Sequence, residues 1–300
     1  MNGTVMADLQ EIRRRIDRLN RELCRLLKAR FQVMAEVAAA KRQSGGPVYD
    51  PVREREILAQ MTELVGPEYA TEIRLVFSSL LELGKNRQRL LLGREPELLR
   101  TIAAAGAPAE LTAQTAIAVQ VGTDSRLAAE RLFPGTSGIG YDGTEAVLTA
   151  VAQGTCDYGV LAAETSDTDR TAAVYSALAE HRMFLVKALI LNPEPPAGGS
   201  RFLGISRKLE FTGAAGKMSV FLTLPRRSGA LNNLCSYFAA AETDLTKIVS
   251  RPVPGMADRL GLALDWKVSP REENTRRLLT ELILDPEIAG FTFLGAYCEE

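Results

Sequence analysis

The sequence predicts a multidomain protein: an all-α amino-terminal domain of three helices, an α/β middle segment, and an α+β, ferredoxin-like carboxy-terminal domain. Three observations carry this. From Ala7 to Ser44 there is neither Gly nor Pro, and apolar residues recur at spacings of three and four, the period of a helix face. Between residues 115 and 208 strand-like and helix-like runs alternate, the signature of α/β layering. From Lys217 the order becomes strand, helix, strand, strand, helix, strand, that of a ferredoxin-like unit.

The first helix carries Leu9, Ile12, Ile16, Leu19, Leu23, Leu26, Val33, Val37 and Ala40 on one side. At about 1.5 Å per residue it extends on the order of 55 Å, more than one small domain can cover. A second helix opens at Asp50, whose carboxylate can cap the first turn, and Pro51, which fits where no amide is needed. A third runs from about Glu68 to Leu92. Three helices so unequal form an open structure that buries its seam against a second copy, so a homodimer or higher homo-oligomer is expected.

Residues 96–114 are Ala-, Pro- and Gly-containing and weakly periodic, and read as a linker between the helical domain, residues 1–95, and an α/β segment over 115–208. In that segment "TAIAVQVG", "CDYGVLA" and "MFLVKALIL" read as strands, and "DSRLAAERLF", "TEAVLTAVAQG" and "TDRTAAVYSALAEH" as helices. "NPEPPAGG" is a Pro/Gly loop. In the last domain, residues 215–300, "KMSVFLTL", "DLTKIVS", "RLGLALDW" and "FTFLGAY" read as strands, with "GALNNLCSYFAAA" and "PREENTRRLLTELIL" as helices.

With 36 basic and 37 acidic residues in 300 the net charge is -1, so no global field attracts nucleic acid or an anionic membrane, and any anion must be bound locally. The cysteines, Cys24, Cys156, Cys235 and Cys298, are far apart and form neither a zinc-site spacing nor a disulfide framework. Reduced thiols, no signal-type segment and no apolar run near the roughly 20 residues of a membrane span make the cytoplasm the expected location.

The first helix also places cations on its apolar face. The register that puts Leu26 and Val33 on the seam puts Arg30 there, and Lys41, eleven residues on, returns to nearly the same angle. Single cations on such a face usually snorkel to solvent. Two of them, with Arg13 earlier in the helix and Arg53 on the next, point instead to an anionic ligand, because unpaired buried cations are too costly to keep. A small dicarboxylate suits the Arg fork.

These stretches, "LQEIRRRIDRLNRELCRLLKAR", "VAAAKRQSGGPVYDPVREREIL" and the Gln of "LLELGKNRQRLL", resemble the all-helical chorismate mutase domain that opens the bifunctional P-proteins (chorismate mutase/prephenate dehydratase) of phenylalanine biosynthesis, over roughly residues 7 to 92. The resemblance implies an intertwined dimer that rearranges chorismate to prephenate without cofactor, metal or nucleophile. It implies that Arg13 and Arg30 hold the two carboxylates, with Arg13 reaching into the partner subunit's site. Lys41 and Gln88 would hydrogen-bond the ether oxygen, Asp50 and Glu54 would meet the ring hydroxyl, and Arg53 would complete the cationic wall. Arg55 and Glu56 then form the solvated side. Gly84 stands where many relatives have Ser.

The middle segment resembles the prephenate dehydratase domain of the same family through "GTDSRLAAERLF", "TEAVLTAVAQGTCDYGVLAAETS" and "SRFLGI". The family carries a second lobe between the counterparts of "MFLVKALIL" and "SRFLGI", and that lobe is missing. Ser200 replaces the Thr of a Thr-Arg-Phe motif that keeps Arg201 and Phe202, and "AETS" keeps Glu164 and Ser166 but loses an Asn. The expectation is a remnant without dehydratase activity. The alternative is a bifunctional enzyme that retains it.

The last segment resembles a phenylalanine-sensing ACT domain: "SGALNNL" holds Gly229, Ala230 and Leu231, and "DLTKIVSRP" holds Asp244, Ser250, Arg251 and Pro252. The resemblance implies L-phenylalanine as effector. Asp244 replaces a usual Asn and Val249 a usual Glu, which leaves a ligand site and a purely structural turn both open. A non-catalytic amino-acid sensor that merely dimerises is the alternative of another class.

Three other signals are set aside. "GIGYDG" matches the glycine pattern of a dinucleotide loop, but no clear strand leads into it, so a loop is expected. His181 ends a helix beside an acid, which fits a helix terminus better than catalysis. Trp266 is expected in a core or interface.

Overall fold

In a computed structural model the chain forms two units, Met1–Arg94 and Glu95–Glu300. The structure describes residues 2–45, 47–93, 96–164, 168–191, 200–210, 216–267 and 273–300.

The first unit is three helices, α1 (Asn2–Ser44), α2 (Pro51–Val65) and α3 (Ala70–Leu92), with α3 packed on both others. Asp50 caps α2 as expected: its Oδ1 accepts from the amides of Val52 at 3.1 Å and Arg53 at 3.0 Å, and Pro51 takes the first helical position. Gly66, at φ 73°, ends the helix in a conformation that favours glycine.

Burial in this unit inverts the usual pattern. Among its described residues the buried positions are Ala38, Gly84, Lys85, Asn86, Gln88 and Arg89, most of them polar, while Leu9, Ile12, Ile16, Leu19, Leu23, Leu26 and Val33 of α1 stay exposed. This leaves an apolar stripe about 40% to 65% exposed along one face of α1.

The second unit is built on one nine-stranded sheet of order β2-β1-β3-β5-β4-β9-β6-β8-β7. Its first part comprises β1 (Ala116–Gln120), α5 (Ser125–Leu132), β2 (Ser137–Tyr141), α6 (Gly143–Ala152), β3 (Tyr158–Glu164), α7 (Thr168–Glu180), β4 (Phe184–Leu191) and β5 (Ser200–Ser206). β1 runs parallel to β2 and β3, and β5 lies antiparallel between β3 and β4. Alternation along the strands sorts the two cores. Ile117, Val119 and Phe202 meet Leu132 and Phe133 on the α5 face, and Ala118, Leu203 and Ile205 meet Leu148, Tyr175 and Leu178 on the α6/α7 face.

β6 (Lys217–Pro225), α8 (Ala230–Ala240), β7 (Leu245–Val253), β8 (Met256–Trp266), α9 (Glu273–Leu284) and β9 (Ala289–Glu299) form the expected ferredoxin-like unit, with strand order β9-β6-β8-β7. Val220, Leu222, Leu264 and Trp266 pack beneath Leu234, Phe238, Leu278 and Leu282 of its helices. Trp266 is fully buried and meets Phe238 edge-on, with ring centres 5.4 Å apart.

Four features depart from the sequence reading. The segments read as separate domains over 115–208 and 215–300 share one sheet, joined by parallel pairing of β4 with β9, where Leu185 sits opposite Gly295 and Ala188 opposite Glu299. Residues read as a linker form the helix α4 (Glu97–Ala104), whose Leu99 and Ile102 are buried against the ferredoxin-like core. "SGIGY" is not a loop but edge strand β2: its glycines lack the apolar alternation that marks a strand in sequence, because the strand is largely exposed. Finally, α7 reaches across the sheet face of β6–β9 opposite α8 and α9, covering Ala263, Leu294 and Tyr297.

Candidate functional site

In the first unit a cavity of about 420 Å³ opens where α1, α2 and α3 meet. Arg30 and Lys41 enter from α1, Arg53 and Glu54 from the first turn of α2 with Asp50 at its cap, and Lys85 and Gln88 from α3. Met34, Val37, Ile57 and Leu81 supply apolar wall. All the residues named for this site in the sequence therefore converge except Arg13, which is exposed and outside the cavity.

The hydrogen bonds show which groups are committed. Arg30 Nη1 donates to the Leu80 carbonyl at 3.1 Å, and Lys41 Nζ to the Val48 carbonyl at 3.0 Å. Neither has a carboxylate partner among the described residues. Burial lowers the Arg30 pKa, the cost of holding a cation away from water without a counter-charge. Asp50 spends Oδ1 on its cap, and Arg53 pairs with Glu56 at 3.2 Å in an exposed contact. Gln88, 6% exposed, donates through Nε2 to the Gly84 carbonyl at 3.4 Å, and its Oε1 is buried without a partner. Two cations whose only partners are carbonyls suit an anionic ligand, and the orphan acceptor of Gln88 suits a donor such as a hydroxyl.

Sequence reasoning missed Lys85. It is 5% exposed, lies 3.1 Å from Glu54 Oε1 and 2.8 Å from Glu82 Oε1, and sits 4.8 Å from the centre of the Tyr49 ring. Burial by itself would lower its pKa, but the two glutamates outweigh that and raise it, so the ammonium stays charged. Its i,i-3 acid, Glu82, was legible in the sequence, whereas Glu54 is brought to it by the packing of α2 on α3.

Cβ space at Gly84 is bounded by Met34 Sδ at 3.3 Å, with Arg30 Nη1 at 3.8 Å. A Ser there would require the Met34 thioether to move by a few tenths of an ångström.

In the second unit the Thr-Arg-Phe-like stretch is sealed. Arg201, 3% exposed, donates to Tyr175 Oη at 2.7 Å, Asp265 Oδ2 at 3.0 Å and Tyr297 Oη at 2.7 Å, and its Nε lies 2.8 Å from Glu299 Oε1. Ser219 bonds Asp265, and Lys217 pairs with Glu299. Burial opposes the Arg201 charge, but Tyr175, Tyr297, Asp265 and Glu299 together raise its pKa above the ordinary value. Phe202 is buried on the α5 face and Ser200 is half-buried. Glu164 pairs with Arg201 in the β3–β5 register, its side chain and all of Ser166 lying outside the described residues.

The effector candidates divide. Arg251 and Pro252 on β7 line a cavity of about 250 Å³ with Ser176, Glu180 and Thr223, whereas Gly229, Ala230 and Leu231 begin α8 outside it. Gly229, at φ 84°, adopts a conformation that favours glycine. The Asp244 carbonyl accepts from the Lys267 amide at 3.3 Å. His181 follows α7, its Nε2 2.7 Å from Glu145 Oε1. No group of three or more metal-ligating side chains occurs among the described residues. No described helix is long and apolar enough to cross a membrane.

Comparison with known proteins divides in the same way. Residues 12–89 match the family described as chorismate mutase type II. A bifunctional chorismate mutase/prephenate dehydratase of Aquifex aeolicus is 36% identical over 59 residues, 20% of this chain and 16% of that protein, so the chain matches only a small part of that relative's length. Several solved structures match about three fifths of the chain, two of them with TM-scores of 0.54 and 0.52. One, described as GqqA, a novel type of quorum quenching acylase, has a TM-score of 0.54 at 23% identity and covers 61% of this chain and 95% of its own. The other, prephenate dehydratase from Streptococcus mutans, has a TM-score of 0.52 at 23% identity and covers 62% of this chain and 100% of its own. At that identity the likeness is one of fold. A chorismate mutase-type helical segment thus precedes a region with a fold like that of prephenate dehydratase.

Proposed function

We propose that the protein is a chorismate mutase, converting chorismate to prephenate in phenylalanine biosynthesis, and that it acts as a homodimer in the cytoplasm. The observation that carries this is the cavity in which two cations, Arg30 and Lys41, have only carbonyl partners. Chorismate is a dicarboxylate whose rearrangement is pericyclic, so the protein contributes position and charge. Arg30, with Arg13 supplied by the second copy, clamps the carboxylates and holds the compact conformer in which the bonding carbons meet. Lys41, and Gln88 through the Nε2 proton not directed at the Gly84 carbonyl, donate to the ether oxygen, stabilising the negative charge that grows there as its bond to carbon breaks. Asp50 and Glu54 receive the ring hydroxyl, and Arg53 adds to the cationic wall. The exposed apolar stripe of α1 supports the dimer, since each large apolar side chain it buries contributes about 2 kcal/mol.

The remainder of the chain is read as a dehydratase remnant fused to an ACT-type module for which L-phenylalanine is the candidate effector. Only residues 192–199 join β4 to β5, leaving no length for a second lobe. Arg201 of the dehydratase-like motif is enclosed in a buried ionic cluster, which removes it from any substrate.

Incubating the purified protein with chorismate and assaying one tube for prephenate and phenylpyruvate tests the whole reading. Prephenate alone is expected. Phenylpyruvate would restore the dehydratase, and no loss of chorismate would leave a sensor without catalysis.

A further inference from the structure

Lys85 differs from the other cations of the helical cavity. Arg30 and Lys41 are bonded to backbone carbonyls and keep their charge for a ligand, while Lys85 is already held between two carboxylates. Glu54 is one of the acids that line the cavity, and Glu82 lies one helical turn before Lys85 on α3. Glu54 enters from the first turn of α2, and Lys85 is its ion-pair partner across the α2–α3 contact.

We propose that Lys85 is a positioning residue of the mutase site: its ammonium anchors the Glu54 carboxylate to α3, so that Glu54 meets the substrate hydroxyl in a fixed orientation. This rests on the mutase reading above and deepens it. The chemistry favours action through Glu54 over direct contact with substrate. An ammonium has three protons to donate, and the two acids at 3.1 and 2.8 Å take at least two of them, while the Tyr49 ring covers a further approach at 4.8 Å. Glu82 also gives Lys85 a second anchor on its own helix. Without the cation, Glu54 and Glu82 would face each other as like charges, and Glu54 would turn away.

The consequence concerns specificity. A carboxylate held in place accepts from a hydroxyl in the ground state and transition state alike, so its loss appears mainly in KM. Lys85→Met, of similar length, is expected to raise KM for chorismate about tenfold with kcat changed less than about threefold, the scale of one charge-assisted hydrogen bond. Glu54→Gln is expected to do the same.

The deciding measurement is the double-mutant cycle on kcat/KM in the full-length protein, with circular dichroism confirming helix content. If Lys85 acts through Glu54, Lys85→Met adds little to Glu54→Gln, and the double variant is no worse than about twofold below either single one. If the two losses multiply, Lys85 acts independently of Glu54 and the proposal is overturned. A Lys85→Met protein with wild-type kinetics and lowered stability would overturn it equally, by making the lysine purely structural. Lys85→Gln, which removes the charge but keeps a polar side chain, repeats the cycle should the Met variant not fold. Absence of turnover in the wild-type protein would overturn the mutase reading and this proposal with it, whereas turnover with multiplicative losses would overturn this proposal alone.

Discussion

Arg201 Nη1 lies 3.0 Å from Asp265 Oδ2, with the two side chains 4% and 1% exposed, and the pair joins β5 to β8 although three strands lie between them in the sheet order. Tyr175 from α7 bonds both partners, so one buried cluster ties the dehydratase-like part, the bridging helix and the ferredoxin-like part together.

Breaking that pair by removing one member leaves an uncompensated buried charge. Arg201→Met is expected to destabilise the second unit by about 3–5 kcal/mol, and the double variant with Asp265→Asn by less. Trp266 is the single tryptophan of the chain and is fully buried in this unit, so its fluorescence during urea unfolding reports on that unit specifically.

Acid stability follows from Glu299. Burial would raise its pKa, but Lys217 and Arg201 outweigh that and hold it below the usual carboxylate range. A depressed folded-state pKa contributes stability that is present above the unfolded value, near 4.5, and is lost as pH falls through the folded value. Glu299→Gln is therefore expected to be less stable than wild type at neutral pH and to converge with it on acidification below that range. A difference independent of pH in Trp266-monitored unfolding would refute this.

The sheet junction is sensitive at Gly295. Its φ is 139°, and a Cβ there would come within 2.2 Å of the Leu185 carbonyl oxygen on β4. Gly295→Ala must push β9 away from β4 and is expected to cost more than about 2 kcal/mol, with a lowered Trp266 transition.

On the catalytic side, Lys41→Ala and Gln88→Ala are each expected to lower kcat by about a hundredfold, roughly 3 kcal/mol for one oriented donor, with a smaller change in KM. Equal loss of affinity at unchanged kcat would assign these side chains to ground-state binding instead.

The α1 stripe predicts the assembly. Leu23→Glu, on the exposed run from Leu9 to Leu26, is expected to shift the protein to monomer in sedimentation and to remove mutase activity. Arg30→Ala is expected to remove activity while leaving the sedimentation unchanged. If both variants sediment as wild type, the stripe is not the dimer seam.

Much of this was legible residue by residue. The helical period of α1, the Asp50–Pro51 start of α2 and the six-element order after Lys217 are local patterns, and local patterns survive folding. Arg30 and Lys41 were legible for a related reason, since cations on an apolar helix face contradict the pattern around them, whereas Asp50, Glu54 and Gln88 are implied as site residues only by the family resemblance; all of them line the same cavity. β2 was not legible, because "SGIGY" at an exposed edge has no apolar alternation to display. Lys85 was not legible either: a lysine on a helix reads as solvated until a second helix brings an acid to it.

The sequence by itself therefore determined most of the helices and strands, β2 and α4 excepted, and which cations stand on an apolar face, because periodicity depends only on neighbours along the chain. Tertiary structure alone decided that β4 pairs with β9 to merge two patterns into one sheet, that α7 covers the second face of the ferredoxin-like strands, and that Lys85 meets Glu54. These are pairings between distant segments, fixed by which buried surfaces and charges can satisfy one another at once, and no local pattern encodes the partner.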